Sequence, residues 1–263
     1  MRIVKSEAAK SEALMRHARR ASVMVASAAI LGLALSGEDG SVRLVGLAQA
    51  QEAAAPATGE AAAPAAERRT DPAAATPPQS QGSVDVDELM AEGALPDIVI
   101  GDPNAPVTII EYASLTCPHC ATFHNTALPD IKADYVDTGI AKVILREFPF
   151  DPAALAGFML ARCVPEERRE PMISVLFQQQ QSWARAENVS AALLSIARMS
   201  GMSQEEFVAC LENTELQGQV AEVRERGESE FGVQATPTFF VNGDRYSGAM
   251  TADQMAAVIE SHR

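Results

Sequence analysis

VTIIEYASLTCPHCATFH, Val107–His124, is the stretch that decides the fold. Its first six residues, Val107–Tyr112, are β-branched and mostly apolar, the pattern of a central strand buried on both faces. Two cysteines come next, Cys117 and Cys120, with Pro118 and His119 between them. From Cys117 the pattern turns helical: Phe123, Leu128, Ile131 and Tyr135 recur at helical spacing. Pro129 predicts a kink or a restart in that helix. Ala141–Phe148, AKVILREF, then reads as a second strand. Strand, helix, strand predicts a right-handed crossover between parallel neighbours.

Working outward, a short helix is expected at Asp85–Ala91 and a first strand at Asp97–Ile100, stopped by the turn-rich GDPNAP. Downstream, a helical block occupies about 151–231. Within it Ser203 and Glu206 form a capping-box signature ahead of Phe207, Val208 and Leu211. Leu216, Val220 and Val223 recur along an amphipathic helix. A hairpin comes after it: Thr238–Val241 extended, Asn242-Gly243 at the turn, Arg245–Ser247 returning. Thr251 and Gln254 open a last capped helix. The expected class is α/β, a sheet with an all-helical block inserted in its middle.

The first 83 residues read differently. Six basic residues within the first 20 precede an uncharged run, Ala21–Gly37, which reads as an export signal. That run is short for a bilayer span, which takes about 20 residues. Ala48-Gln49-Ala50 matches a small-residue cleavage site, but Glu38, Asp39 and Arg43 separate it from the apolar run. Residues 1–50 are therefore either a cleaved signal or an N-terminal membrane anchor through residues 21–37. A buried cytosolic helix is the weaker reading, because nothing amphipathic flanks the run. Residues 51–83, rich in Ala, Pro, Gln, Thr and Ser, have little to bury and are expected to form a disordered linker. The folded domain then spans 84–263. It carries 12 basic and 27 acidic residues, net −15, against −14 for the whole chain. That balance argues against a nucleic-acid partner, which requires a basic surface.

The chemistry lies in the cysteine pair. At the junction of strand and helix, Cys117 sits at the helix N-terminus, where unpaired N–H groups and the helix dipole favour negative charge. Its pKa is expected below the free-thiol value of about 8.5. Pro118 occupies the first turn, where its missing N–H does no harm. His119 adds a donor or a positive charge near the sulfur. Cys117 is expected to be exposed and to attack, and Cys120 to be shielded and to resolve. A stabilised thiolate favours the dithiol form, so the disulfide becomes the stronger oxidant.

Other readings are weaker. Zinc takes four ligands, and His124, four residues after Cys120, is the sole nearby candidate. It is expected instead to be an ordinary helix-surface residue. A purely structural bridge within C-x-x-C closes too short a loop to staple anything. Thr236-Pro237 precedes the hairpin strand; a cis proline there could let the backbone before it pair with an extended substrate. Glu111, six residues before Cys117, is either a buried proton shuttle for Cys120 or an edge-exposed carboxylate.

EYASLTCPHC (Glu111–Cys120) and ATPTFFVNG (Ala235–Gly243), with the helical block between them, resemble the DsbA-like thiol:disulfide oxidoreductases of the thioredoxin superfamily. The likeness covers roughly 97–262. It implies a thioredoxin-like fold with an inserted helical domain in the bacterial periplasm, secreted or held at the inner membrane. It implies Cys117 as nucleophile, Cys120 as resolving thiol and Pro237 as the cis-proline, with Glu111 as the family's acidic residue. It also implies a redox disulfide as the sole redox group, exported cysteine-containing polypeptides as substrates, and a quinone-linked membrane protein as reoxidising partner. The chain departs from the pattern twice. Thr236 stands where the best-known members carry Val, and Cys163 and Cys210 form a second pair in the helical block, on apolar faces. With Cys117 joined to Cys120, the likeness implies a structural disulfide between these two.

The expected activity is dithiol oxidation of exported proteins. A reductase or isomerase using the same site is the nearest alternative, and a non-catalytic chaperone or binding module the alternative from another class. A glutathione-transferase relative is disfavoured by the intact C-x-x-C.

Overall fold

The computed structural model describes residues 69–263. The export-signal or anchor segment and residues 51–68 of the linker lie outside the described residues.

Among the described residues, five strands form one sheet in the order β1-β3-β2-β4-β5. They are β1 (Ile98–Ile100), β2 (Val107–Ala113), β3 (Ala141–Glu147), β4 (Thr238–Val241) and β5 (Asp244–Ser247). β2 and β3 run parallel, as the crossover predicts, and the other three pairings are antiparallel. β2 is central: Glu111 lies opposite Leu145 on one side and Phe239 on the other. The turn of the last hairpin has positive φ at both Asn242 (45°) and Gly243 (94°), the conformation its Asn-Gly pair favours.

The β2–β3 crossover is one helical run of alternating character. It comprises α2 (Pro118–Thr122), a π turn at Phe123–Ala127, α3 (Leu128–Ile131) and a second π turn at Lys132–Val136. The Leu128 N–H donates to Phe123 O, five residues back. Pro129, which has no N–H to give, falls in the first turn of α3. The restart expected at Pro129 is therefore made by widening the turn ahead of it.

Before the sheet lies α1 (Val86–Met90). Between β3 and β4 the chain is helical: α4 (Pro152–Cys163), α5 (Arg169–Gln178), α6 (Gln180–Trp183), α7 (Val189–Met199), α8 (Gln204–Leu211) and α9 (Thr214–Ser229). α10 (Ala252–Ser261) closes the fold, and both expected capping boxes are present. The inserted helices build one core around Phe158, Leu160, Phe177 and Trp183, which reaches Ala113, Leu115 and Cys120 of the motif region. A second core, with Phe123, Tyr135 and Phe239, packs α10 and the crossover helix on the sheet. The opposite face holds Tyr112, Phe148 and Phe240. There α9 runs so close that a Cβ on Gly227 would meet Tyr112 Cε1 at 2.6 Å.

The linker expectation fails within the described residues: the segment is not free up to residue 83. Thr70 is buried, and its N–H and hydroxyl donate to the Asp134 carboxylate at 2.7 and 2.8 Å. The Asp71 N–H donates to Asp253. Ser83 bridges to Asp244, and the Gln81 N–H donates to Arg245 O on the edge strand β5. These long-range bonds offset the entropy that composition alone leaves uncompensated.

Candidate active site

β2 ends at Ala113, and the chain turns through Ser114–Thr116 into α2. Cys117 is the N-cap, with extended backbone (φ −75°, ψ 121°), and Pro118 opens the helix. Gln180, 4% exposed, donates from Nε2 to both Leu115 O and Cys117 O at 2.9 Å. Thr116 Oγ1 donates to Asp151 Oδ2 at 2.6 Å, while Asp151 Oδ1 caps α4. The helical block thus holds the cysteine loop at two points. Neither Gln180 nor Asp151 stands out in the sequence; no spacing rule connects residue 180 to residue 117.

Opposite lies Thr236-Pro237, whose peptide bond is cis. Cys117 Sγ donates to Thr236 O at 3.2 Å, so Cys117 is half-buried rather than fully exposed. The Thr236 hydroxyl is buried without a partner. In the thiolate state the sulfur no longer donates, and this hydroxyl becomes an available donor to it.

The two sulfurs differ sharply. Cys117 is lowered from its ordinary 9.0 to about 5. The hydrogen bond from the Cys120 thiol is the main cause, helped by the Thr236 side chain and the backbone N–H groups of Cys120 and His119, and opposed by burial. His119 is exposed, and it is its backbone that acts on the sulfur. Cys120 is fully buried and pushed far above the ordinary thiol range. Desolvation is the main cause, then its bond to Cys117 and the charge of Glu111. One thiol is primed as a thiolate and leaving group, and the other is kept protonated. That asymmetry is what stepwise thiol–disulfide exchange requires.

Glu111 is completely buried, which removes the edge-exposed reading. His124 corrects its expectation. It is not on the helix surface: its side chain is 5% exposed, with Nε2 2.8 Å from Glu111 Oε2. Its ring stacks on Phe177 with centroids 4.0 Å apart. The signal available in the sequence is its place four residues after Cys120, one turn along the same helix face.

Cys163 and Cys210 form a disulfide joining the end of α4 to α8, with Cα atoms 6.1 Å apart.

A C-x-x-C pair opening the first crossover helix, beside a cis-proline, on a sheet with inserted helices, defines a dithiol–disulfide protein of thioredoxin type. Residues 94–261 match the family model described as Thioredoxin. A Rickettsia conorii protein called a protein-disulfide oxidoreductase is 31% identical over 170 residues, 62% of this chain and 59% of that protein's length. A Bacillus cereus protein called disulfide bond formation protein D is 26% identical over 152 residues, 55% of this chain and 69% of that protein. The crystal structure of Wolbachia pipientis alpha-DsbA1 superposes with a TM-score of 0.62 at 31% identity, covering 67% of this chain and 95% of that one. The chain belongs to the thioredoxin family, among the DsbA-like thiol:disulfide oxidoreductases.

Proposed function

We propose that the protein is a dithiol oxidase that donates the Cys117–Cys120 disulfide to exported polypeptides. The observation that carries this reading is the Cys117 thiol held at about 5 beside a Cys120 thiol pushed the other way. A stabilised Cys117 thiolate favours the dithiol product, and so favours giving the disulfide away.

A substrate thiolate attacks Cys117 Sγ, the Cys117–Cys120 bond breaks, and Cys120 leaves and takes a proton. The second substrate thiolate then attacks the substrate sulfur of the mixed disulfide, and Cys117 departs as a stable thiolate. The substrate loses two electrons and the cysteine pair gains them, so the pair itself is the redox group. Thr236 and Pro237 form the wall against which an extended substrate lies, and Glu111 is the proton store beneath Cys120. Pro118 and His119 shape the helix start and supply backbone donors. The Cys163–Cys210 bridge fits a structural role and an oxidising compartment, the periplasm, reached by export through the N-terminal segment. A quinone-linked membrane protein is the proposed reoxidant. Among the described residues no helix is long and apolar enough to cross a membrane.

The test is the reduction potential of the pair in glutathione buffers, in a Cys163→Ser/Cys210→Ser background so that one couple is read. A potential well above that of the glutathione pool supports donation. A potential near that of thioredoxin, about −270 mV, assigns the same site to reduction or reshuffling.

A further inference from the structure

The Glu111 carboxylate, whose charge acts on Cys120, has a buried partner to which the exchange steps assign no role, His124. Glu111 Oε2 and His124 Nε2 lie 2.8 Å apart, within hydrogen-bond distance. Glu111 Oε1 is buried without a partner, on the carboxylate whose charge reaches Cys120. The imidazole is fixed by stacking on Phe177 and by edge contact with Phe123. On its other side His124 lines a cavity of about 160 Å³, with Leu128, Pro129, Lys132, Glu170 and Ser174 among its walls. That volume is room for several waters, one needing about 10–15 Å³ of such space, and His124, Lys132, Glu170 and Ser174 are the polar side chains on its walls. The strand residues in its wall, Ile98, Ile100 and Leu145, are apolar; Lys132 and Glu170 are the charged groups facing it from the helices.

We propose that His124 is a positioning residue that passes the Cys120 proton between Glu111 and solvent through this cavity, behind the active-site face. The proposal rests on the oxidoreductase reading and adds a route to it. When a polypeptide is joined to Cys117, the face around Cys117 and Thr236 is covered. Cys120 must nevertheless take a proton when it leaves, and must lose it when the pair is reoxidised. In the forward direction the Glu111–His124 couple gives its proton to Cys120 Sγ, through the carboxylate, and His124 recovers one from cavity water. On reoxidation the proposed membrane reoxidant takes the two electrons as the Cys117–Cys120 bond re-forms, and the same proton transfers run backward.

The test measures reduction of the Cys117–Cys120 disulfide by a dithiol peptide across pH, in wild type, His124→Gln, His124→Phe and Ser174→Phe. Glutamine keeps a hydrogen bond to Glu111 but cannot relay a proton as imidazole does. Expected is a loss of at least about tenfold in both His124 variants, the low end of general acid–base effects lying higher still. The Cys117 titration should stay where it is. Ser174→Phe, which sets a bulky ring on the cavity wall, should slow the same step while leaving the Glu111–His124 pair intact. A wild-type pH profile in His124→Gln overturns the proposal, and full speed in Ser174→Phe overturns the exit through the cavity. If His124→Phe does not fold, His124→Gln decides alone. A wild-type disulfide that no dithiol peptide reduces refutes the oxidoreductase reading instead.

Discussion

Cys117 Sγ lies 3.2 Å from the carbonyl oxygen of Thr236, and the hydroxyl of the same threonine is buried with no partner. One residue is therefore placed to serve both states of the sulfur: its carbonyl accepts from the thiol, and its unpaired hydroxyl is the donor expected for the thiolate. Replacing Thr236 with Val keeps the carbonyl and the shape but removes the donor. The Cys117 pKa is expected to rise by about one unit, since a shift of that size corresponds to about 1.4 kcal/mol, within the range of a hydrogen bond to a charged group. The disulfide becomes less oxidising in step, by about 30 mV. Thiolate ultraviolet absorbance against pH, paired with glutathione equilibration, measures both. An unmoved pKa in Thr236→Val removes the hydroxyl from the account.

The same thiol makes the reduced protein's stability pH-dependent. Its folded pKa, about 5, lies below its ordinary value of 9.0. A depressed pKa means the unfolded state binds more protons between these values, so stability rises with pH. The contribution is complete above about pH 9 and is lost as pH falls through about 5. The oxidised protein has no titrating thiol at this site. The reduced-minus-oxidised difference in Tm should therefore grow as pH is raised from 5 to 9, and Cys117→Ala should lack the part of the rise in Tm that the reduced wild type shows over that window. A difference that shrinks over that window contradicts the low pKa.

Cys163 and Cys210 are 47 residues apart in sequence, and their bond ties α4 to α8. Closing a loop of that length removes about 4 kcal/mol of unfolded-state entropy by the chain model, with about 2–5 kcal/mol the usual range for native bridges. Cys163→Ser with Cys210→Ser should lower the denaturant midpoint correspondingly. Whether it also shifts the Cys117–Cys120 potential tells whether the bridge reaches the active pair. If stability and potential both stay put, the bridge has neither role.

Much of the fold is legible from local pattern. The β-branched run of β2, the Asn-Gly turn and both capping boxes each depend on residues close in sequence, and each forms where expected. The cysteines and Glu111 stand out through the strand–helix junction they share, and the pairing of β4 with β2 brings Thr236-Pro237 to them. His124 reads wrongly from sequence because its one signal, a place one turn after Cys120 on the same helix face, is outweighed by its polarity until Glu111 and Phe177 are placed around it. Residues 69–83 read wrongly because their composition offers no core, while their order comes from hydrogen bonds to Asp134, Asp253 and the β5 edge. Both errors concern polar contacts between residues far apart in the chain, for which a single sequence carries no periodicity.

Gln180 tests the coupling of the helical block to the cysteine loop. Its one amide nitrogen serves two carbonyls, Leu115 O and Cys117 O, from a buried position at the start of α6. Leucine at 180 matches its size but leaves both carbonyls without that donor, at about 1–3 kcal/mol for each group left unsatisfied. The loop is expected to loosen more than the fold as a whole. Amide exchange at Cys117, His119 and Cys120 should quicken in Gln180→Leu, while exchange in β2 and β3 tracks the smaller global loss. Glutamate at 180 offers acceptors to two acceptors and should be worse than leucine. Equal exchange in the loop of wild type and Gln180→Leu would show that the Thr116–Asp151 bond alone holds the cysteines in register with the helices.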